Sequence, residues 1–138
     1  MDITRKLGLD VGDARTGVAI SDSLGIIASS LGNIENSGED DLIEKLGKYI
    51  SDNNIDTVVI GYPKNMNGTV GERGEKAKRI SETIKNKYGI NTILWDERLT
   101  TVSAHKILSE GNVRGKKRKE KVDGLSAVLI LQGYLDSK

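Results

Sequence analysis

The chain has no cysteine and no phenylalanine, a single proline, a single histidine and a single tryptophan. Each shortage excludes something. Without cysteine there is no thiol nucleophile, no disulfide and no cysteine–zinc site. One histidine, His105, cannot build a histidine-rich metal centre. Any metal held here is held mainly by carboxylates, which favours Mg²⁺ or Mn²⁺ over zinc. With four tyrosines as the other aromatics, the core has to be aliphatic. Long apolar runs are also missing. No stretch approaches the ~20 residues of a membrane span, and no apolar run follows the N-terminal Met-Asp-Ile-Thr-Arg-Lys segment. The expectation is a soluble, cytoplasmic protein with no membrane partner.

What is present fits one domain, residues 1–138, long enough to bury a core without staples. Net charge is +1, but it is unevenly spread. Arg114-Gly-Lys-Lys-Arg-Lys-Glu-Lys121 carries six cations and one acid, a local +5 that leaves about −4 for the rest. That asymmetry suits a polyanion-binding element, or else a solvated lysine-rich loop.

Apolar alternation predicts a strand over Lys6–Val11, with Leu7, Leu9 and Val11 on one face and Gly8 and Asp10 on the other. Strands over Thr16–Ser21 and Ile26–Ile34 follow after short turns, which implies an antiparallel meander. Ser37 is a candidate cap, with Asp40 three residues on, for a helix carrying Leu42, Ile43, Leu46, Tyr49 and Ile50. Thr57–Ile60 is a short buried strand. Thr69 and Glu72 suggest a capping box for a helix running to about Lys87, stopped by Gly89. Asn91–Trp95 is a fifth strand, and Thr100 or Thr101 caps a helix to about Ser109. Gly111 to Lys119 is expected as a loop, and the last helix from about Lys121 to Asp136. The order implies an α/β fold: a mixed five-stranded sheet, three antiparallel strands and then β/α alternation, with helices on both faces.

Three acids stand at the ends of these elements. Asp10 is in a strand, where aspartate is depleted. It is either a turn former bonding nearby backbone N–H groups or a functional carboxylate. Gly12 and Gly17 supply flexible backbone beside it, suited to close approach by a phosphate or metal. Sugar kinases and actin-like ATPases use a similar Asp-x-Gly hairpin, but close two such domains over a nucleotide. Asp96 and Glu97 face opposite ways if the strand continues, so one of them reaches a shared site. Asp123 in the first turn of a helix is either a cap or a ligand. Carboxylates converging from distant elements can hold two divalent ions about 4 Å apart that clamp a phosphodiester.

Four blocks carry a family resemblance over nearly the full length: Leu9-Asp-Val-Gly-Asp-Ala-Arg-Thr-Gly-Val-Ala-Ile-Ser-Asp22, Val59-Ile-Gly-Tyr-Pro-Lys-Asn-Met-Asn-Gly-Thr69, Trp95-Asp-Glu-Arg-Leu-Thr-Thr101 and Lys121-Val-Asp-Gly-Leu-Ser-Ala127. In order and spacing they resemble the YqgF family, described as pre-16S rRNA nucleases and as Holliday junction resolvase-like proteins. The second block departs slightly, with Tyr62 and Lys64 where more apolar residues are expected. The resemblance implies an RNase H-like fold and a carboxylate–metal nuclease. Asp10, Glu97 and Asp123 are then the catalytic, metal-binding acids. It also implies a cytoplasmic role in ribosome biogenesis, trimming the 5′ end of 16S rRNA.

Around the acids, Arg15 could bind a phosphate through its planar fork. Lys64 and Asn65 fall on the same expected rim. Thr69 and Gly71 open a helix whose N–H groups could receive a phosphate. Arg98 could contact substrate or pair with a neighbouring acid. Arg114, Lys116 and Lys117 lead directly towards Asp123. His105 reads as a packing residue rather than a general base. Two rivals stay open: a resolvase of branched DNA, which should be a homodimer where an RNA trimmer can be a monomer, and a non-catalytic domain binding nucleic acid or a ribosome-assembly partner with salt-sensitive affinity.

Overall fold

A computed structural model describes residues 3–63, 71–96 and 115–138, with 115–124 described by backbone alone. The elements are β1 (Arg5–Val11), β2 (Arg15–Ser21), β3 (Ala28–Glu35), α1 (Glu39–Asp52), β4 (Ile55–Tyr62), α2 (Glu72–Tyr88), β5 (Asn91–Asp96) and α3 (Gly115–Asp136). They build one five-stranded sheet of order β3-β2-β1-β4-β5. The first three strands form the antiparallel meander. β4 and β5 add in parallel to β1, as crossover helices require. This is the mixed, RNase H-like sheet that the resemblance implies.

Alternation along each strand sorts side chains into two cores. Leu7, Leu9, Val18, Val58 and Ile60 meet Leu42, Ile43, Leu46 and Ile50 of α1 and Ala77, Ile80 and Ile84 of α2. The opposite face carries Ala19 and Val59, covered by Ala127, Ile130, Leu131, Tyr134 and Leu135 of α3. α3 lies very close to β1 because Gly8 offers no side chain. A Cβ built there would stand 2.7 Å from the Leu131 Cβ and 3.0 Å from the Ala127 carbonyl oxygen. Glycine inside a strand marks such an approach of backbone.

The helix ends partly revise the sequence reading. α1 starts at Gly38, not Ser37, and no side chain caps it. Instead Asp41 reaches back and accepts a 2.9 Å hydrogen bond from the Ser37 backbone N–H. The acid in use is therefore one residue later than Asp40. α2 follows Gly71 without a side-chain cap; Thr69 lies outside the described residues. Gly89 ends α2 in the left-handed conformation, φ 65°, as expected of a glycine stop.

The larger revision is in α3. The expected loop over 111–119 gives way, from Gly115 on, to helix. Lysine, arginine and glutamate are good helix formers, and Gly115-Lys-Lys-Arg-Lys-Glu-Lys121 continues the helix that the apolar residues anchor further on. The expected helix over 100–109 lies outside the described residues.

Two exposed carboxylates stabilise turns by accepting from backbone. Asp22 accepts from the N–H of Ile26 at 2.7 Å and of Ile27 at 3.2 Å, and these bonds hold its carboxyl below the ordinary 3.8. The Ser37 N–H, then Lys45, lowers Asp41 in the same sense. A pKa lowered by folding contributes stability above the unfolded value, and that stability is lost as pH falls through the folded one. The urea midpoint of the native chain is expected to drop on acidification below 3.8. Asp22→Asn with Asp41→Asn should flatten that drop. Identical acid profiles for the two proteins would show that these contacts contribute nothing.

Candidate active site

β1, β4 and β5 run parallel, so their carboxyl ends, Val11, Tyr62 and Asp96, share one rim of the sheet. Ligands of open α/β sheets bind outside this rim. Leu9 pairs with Ile60, and Ile60 with Leu94; all three enter the core under α1 and α2. One step along each strand, Asp10, Gly61 and Trp95 therefore turn to the α3 face. One further step returns Val11, Tyr62 and Asp96 to the α1–α2 face. Asp96 is thus on the wrong side of the sheet to join Asp10, a choice between Asp96 and Glu97 that alternation in the sequence left open.

Asp10 is half-buried and pairs across the ladder with Gly17 of β2. The β1–β2 turn is tight, and Gly12 is required in it. A Cβ at Gly12 would collide with the backbone carbonyl oxygen of Arg15. The turn is braced from just past β3, where the Asn36 N–H donates to the Ala14 carbonyl at 2.9 Å.

A cleft of about 310 Å³ opens beside Asp10. It is lined by Asp10, Gly12, Asp13, Arg15, Gly17 and Arg73, with Val11 and Ala14 completing the wall. Arg73 and Lys76 come from the start of α2. The Arg73 guanidinium lies 3.6 Å from the Asp13 carboxylate, and the Lys76 ammonium 4.0 Å from the same group. Lys76 also donates to the Gly12 carbonyl at 3.5 Å. A carboxylate therefore faces a cleft whose walls carry cations from two separate elements.

Of the residues singled out from sequence, the structure brings Asp10 and Arg15 together in this cleft. Glu97, Lys64, Asn65, Arg98, Arg114 and His105 lie outside the described residues. Lys116, Lys117 and Asp123 lie on the described backbone of α3. Asp123 does not open that helix. It stands more than two turns in, one turn before Ala127, so the helix-cap reading of it is excluded. Sequence reading missed Asp13, Arg73 and Lys76. The only signal for the two cations was their spacing of three on α2, which puts them on one side of a helix.

Among the described residues no three His, Asp or Glu side chains are grouped closely enough to hold a metal ion. Asp10 supplies one hard oxygen donor at the rim. Among the described residues, no helix is long and apolar enough to cross a membrane.

Residues 4–137 match the family model described as "RuvX: Holliday junction resolvase". A protein of Shouchella clausii (strain KSM-K16), named "Putative pre-16S rRNA nuclease", is 48% identical over 134 residues, covering 96% of this chain and 94% of its own. A protein of the same name from Bacillus subtilis (strain 168) is 47% identical over 135 residues, covering 96% and 98%. Among solved structures, Thermus thermophilus RuvC in complex with a Holliday junction substrate superposes with a TM-score of 0.62 at 10% identity, covering 97% of both chains. The fowlpox virus Holliday junction resolvase gives 0.57 at 10% identity, covering 98% of this chain and 100% of its own. At such identities the two structures speak for the fold alone. With nearly its whole length matched by the family model and by relatives close to half identical, the chain belongs to the RuvX Holliday junction resolvase family.

Proposed function

We propose that this chain hydrolyses phosphodiester bonds at the carboxyl rim of its sheet, with Asp10, Glu97 and Asp123 as the acids that hold divalent metal. The observation that carries the reading is the placement of Asp10: half-buried, at the end of a central strand, opening into a cleft with Arg15 and Arg73. The donor chemistry suits Mg²⁺ or Mn²⁺, since carboxylate oxygen is hard and the chain has no thiol. When bound, such ions supply charge neutralisation and activation of water for attack at phosphorus. The chain's own part is to fix Asp10 on a rigid sheet and to receive the substrate backbone. Arg15, Lys64, Asn65, Arg98, Arg114, Lys116 and Lys117 are its proposed phosphate contacts.

The names of the relatives favour pre-16S rRNA as substrate; trimming of its 5′ end, in the cytoplasm and as part of ribosome biogenesis, is the finer reading that the sequence resemblance implies. The family description favours a second substrate, a four-way DNA junction. The test gives the purified protein a 5′-extended 16S precursor RNA and a four-way junction, each with Mn²⁺ and with EDTA. Shortening of the RNA in Mn²⁺ alone is the expected result. Symmetric nicking of the junction by a dimeric species would assign the second substrate. Binding of both without cleavage of either would reduce the protein to a binding domain.

A further inference from the structure

The Asp13–Arg73 pair contributes little to folding. The Arg73 side chain is 73% exposed and the Asp13 side chain 79%. Exposed pairs of this kind contribute about 0–1 kcal/mol to folding. Yet the pair does not sit on an arbitrary surface. It spans from the β1–β2 turn to the start of α2, and Arg73 lines the same cleft as Asp10 and Arg15. Lys76 is the less exposed cation, at 20%, and its ammonium lies 3.5 Å from the Gly12 carbonyl and 4.0 Å from Asp13. The other charges at the start of α2 are Glu72 and Glu75; neither lines the cleft.

Resting on the nuclease reading, we propose that Arg73, backed by Lys76, grips a backbone phosphate of the nucleic acid next to the bond that Asp10 helps to cleave, and that Asp13 occupies their donors until the phosphate displaces it. Guanidinium offers a planar fork that matches two phosphate oxygens. An exposed carboxylate at 3.6 Å is a weak competitor for that fork. Asp13 is thus a positioning residue. It holds Arg73 towards the cleft, with Lys76 behind it, so that less rotamer freedom is lost when the strand arrives. The ligand chemistry is a nucleotide phosphodiester, which RNA and DNA share.

The experiment measures binding and cleavage separately. Fluorescence anisotropy with a labelled single-stranded RNA 12-mer in EDTA gives Kd across a salt series, and a four-way DNA junction gives the parallel series. Arg73→Ala is expected to raise Kd about tenfold and to shallow the slope of log K against log salt by about 0.7 on single strands, one phosphate contact. Arg73→Lys should restore the slope but only part of the affinity, because charge returns without the fork. Asp13→Asn should tighten binding severalfold. In the cleavage assay Arg73→Ala should raise KM with little change in kcat. A loss confined to RNA, or to the junction, identifies the polymer that uses this contact. An unchanged Kd and salt slope in Arg73→Ala on both polymers, with Lys116→Ala/Lys117→Ala weakened as a control, overturns the proposal and leaves the nuclease reading intact. Failure of the native protein to cleave either polymer overturns the nuclease reading, while the anisotropy series still decides on Arg73. Unchanged urea midpoints in the Arg73 variants exclude an effect through folding.

Discussion

Asp10→Asn is expected to abolish metal-dependent cleavage while leaving a folded protein that still binds nucleic acid. Asparagine keeps the shape of the side chain, so the ladder pairing with Gly17 and the half-buried packing survive. It removes the negative charge and leaves a much poorer oxygen donor for a divalent cation. Loss of about 4 kcal/mol of transition-state stabilisation corresponds to roughly a thousandfold in rate. The stability change should stay within about 1 kcal/mol, as for substitutions that create neither cavity nor clash. Affinity for RNA in EDTA should hold or rise, since one anion facing a polyanion has gone. The measurement is single-turnover cleavage in Mn²⁺ beside a urea titration. Near-native rates in a folded variant would remove Asp10 from the chemistry.

The second large effect is expected at Gly8. Propensity alone predicts that alanine or valine would strengthen a strand here, by about 0.5–1 kcal/mol. The contact predicts the reverse, and it should win. The first added carbon would stand 2.7 Å from the Leu131 Cβ and 3.0 Å from the Ala127 carbonyl oxygen. Both atoms are fixed to the α3 backbone, so no flexible side-chain end can swing away. α3 itself has to move off the sheet. Overpacking of a tight core costs about 1–3 kcal/mol and at times more. Gly8→Ala should fall in that range and Gly8→Val above it, a large part of the roughly 5–15 kcal/mol that holds a domain together. Urea midpoints check the energies. Activity should fall further than stability, because α3 carries Asp123. An unchanged midpoint in Gly8→Ala would mean that α3 does not sit where it is placed.

The contrast between these residues shows what the sequence could disclose. Asp10 was legible because its strand alternates cleanly and the glycines around it have a physical purpose. The same period of two showed that Asp96 and Glu97 cannot both face Asp10, but only the strand register shows that Asp96 is turned away. The start of α3 was not legible, because a lysine-rich run next to glycine reads as loop by charge while its residues favour helix by propensity. Anchoring by the buried residues from Ala127 onward decides between them, and that is a tertiary effect. Ser37 misled in a related way: Asp41 satisfies its backbone N–H from within the helix, which moves the start one residue on. Arg73 and Lys76 were invisible as site residues. Nothing in the chain order reveals that the start of α2 returns to the β1–β2 turn; only the parallel placement of β4 beside β1 does.

The packing at the end of β5 gives the molecule a built-in optical reporter. Trp95 is the chain's one tryptophan. A Cβ at Gly133 would stand 3.1–3.3 Å from its indole ring, and Tyr134 meets it edge-on with centroids 6.3 Å apart. Its emission therefore senses the seating of α3 on the sheet. Spectral shifts at 295 nm excitation can be followed in Gly8 variants without a label, in the same cuvette as the nucleic acid. Circular dichroism, by comparison, averages over every helix. A discrepancy between the two signals during denaturation would reveal a state in which the layer bearing Asp123 has lifted while the rest of the fold persists.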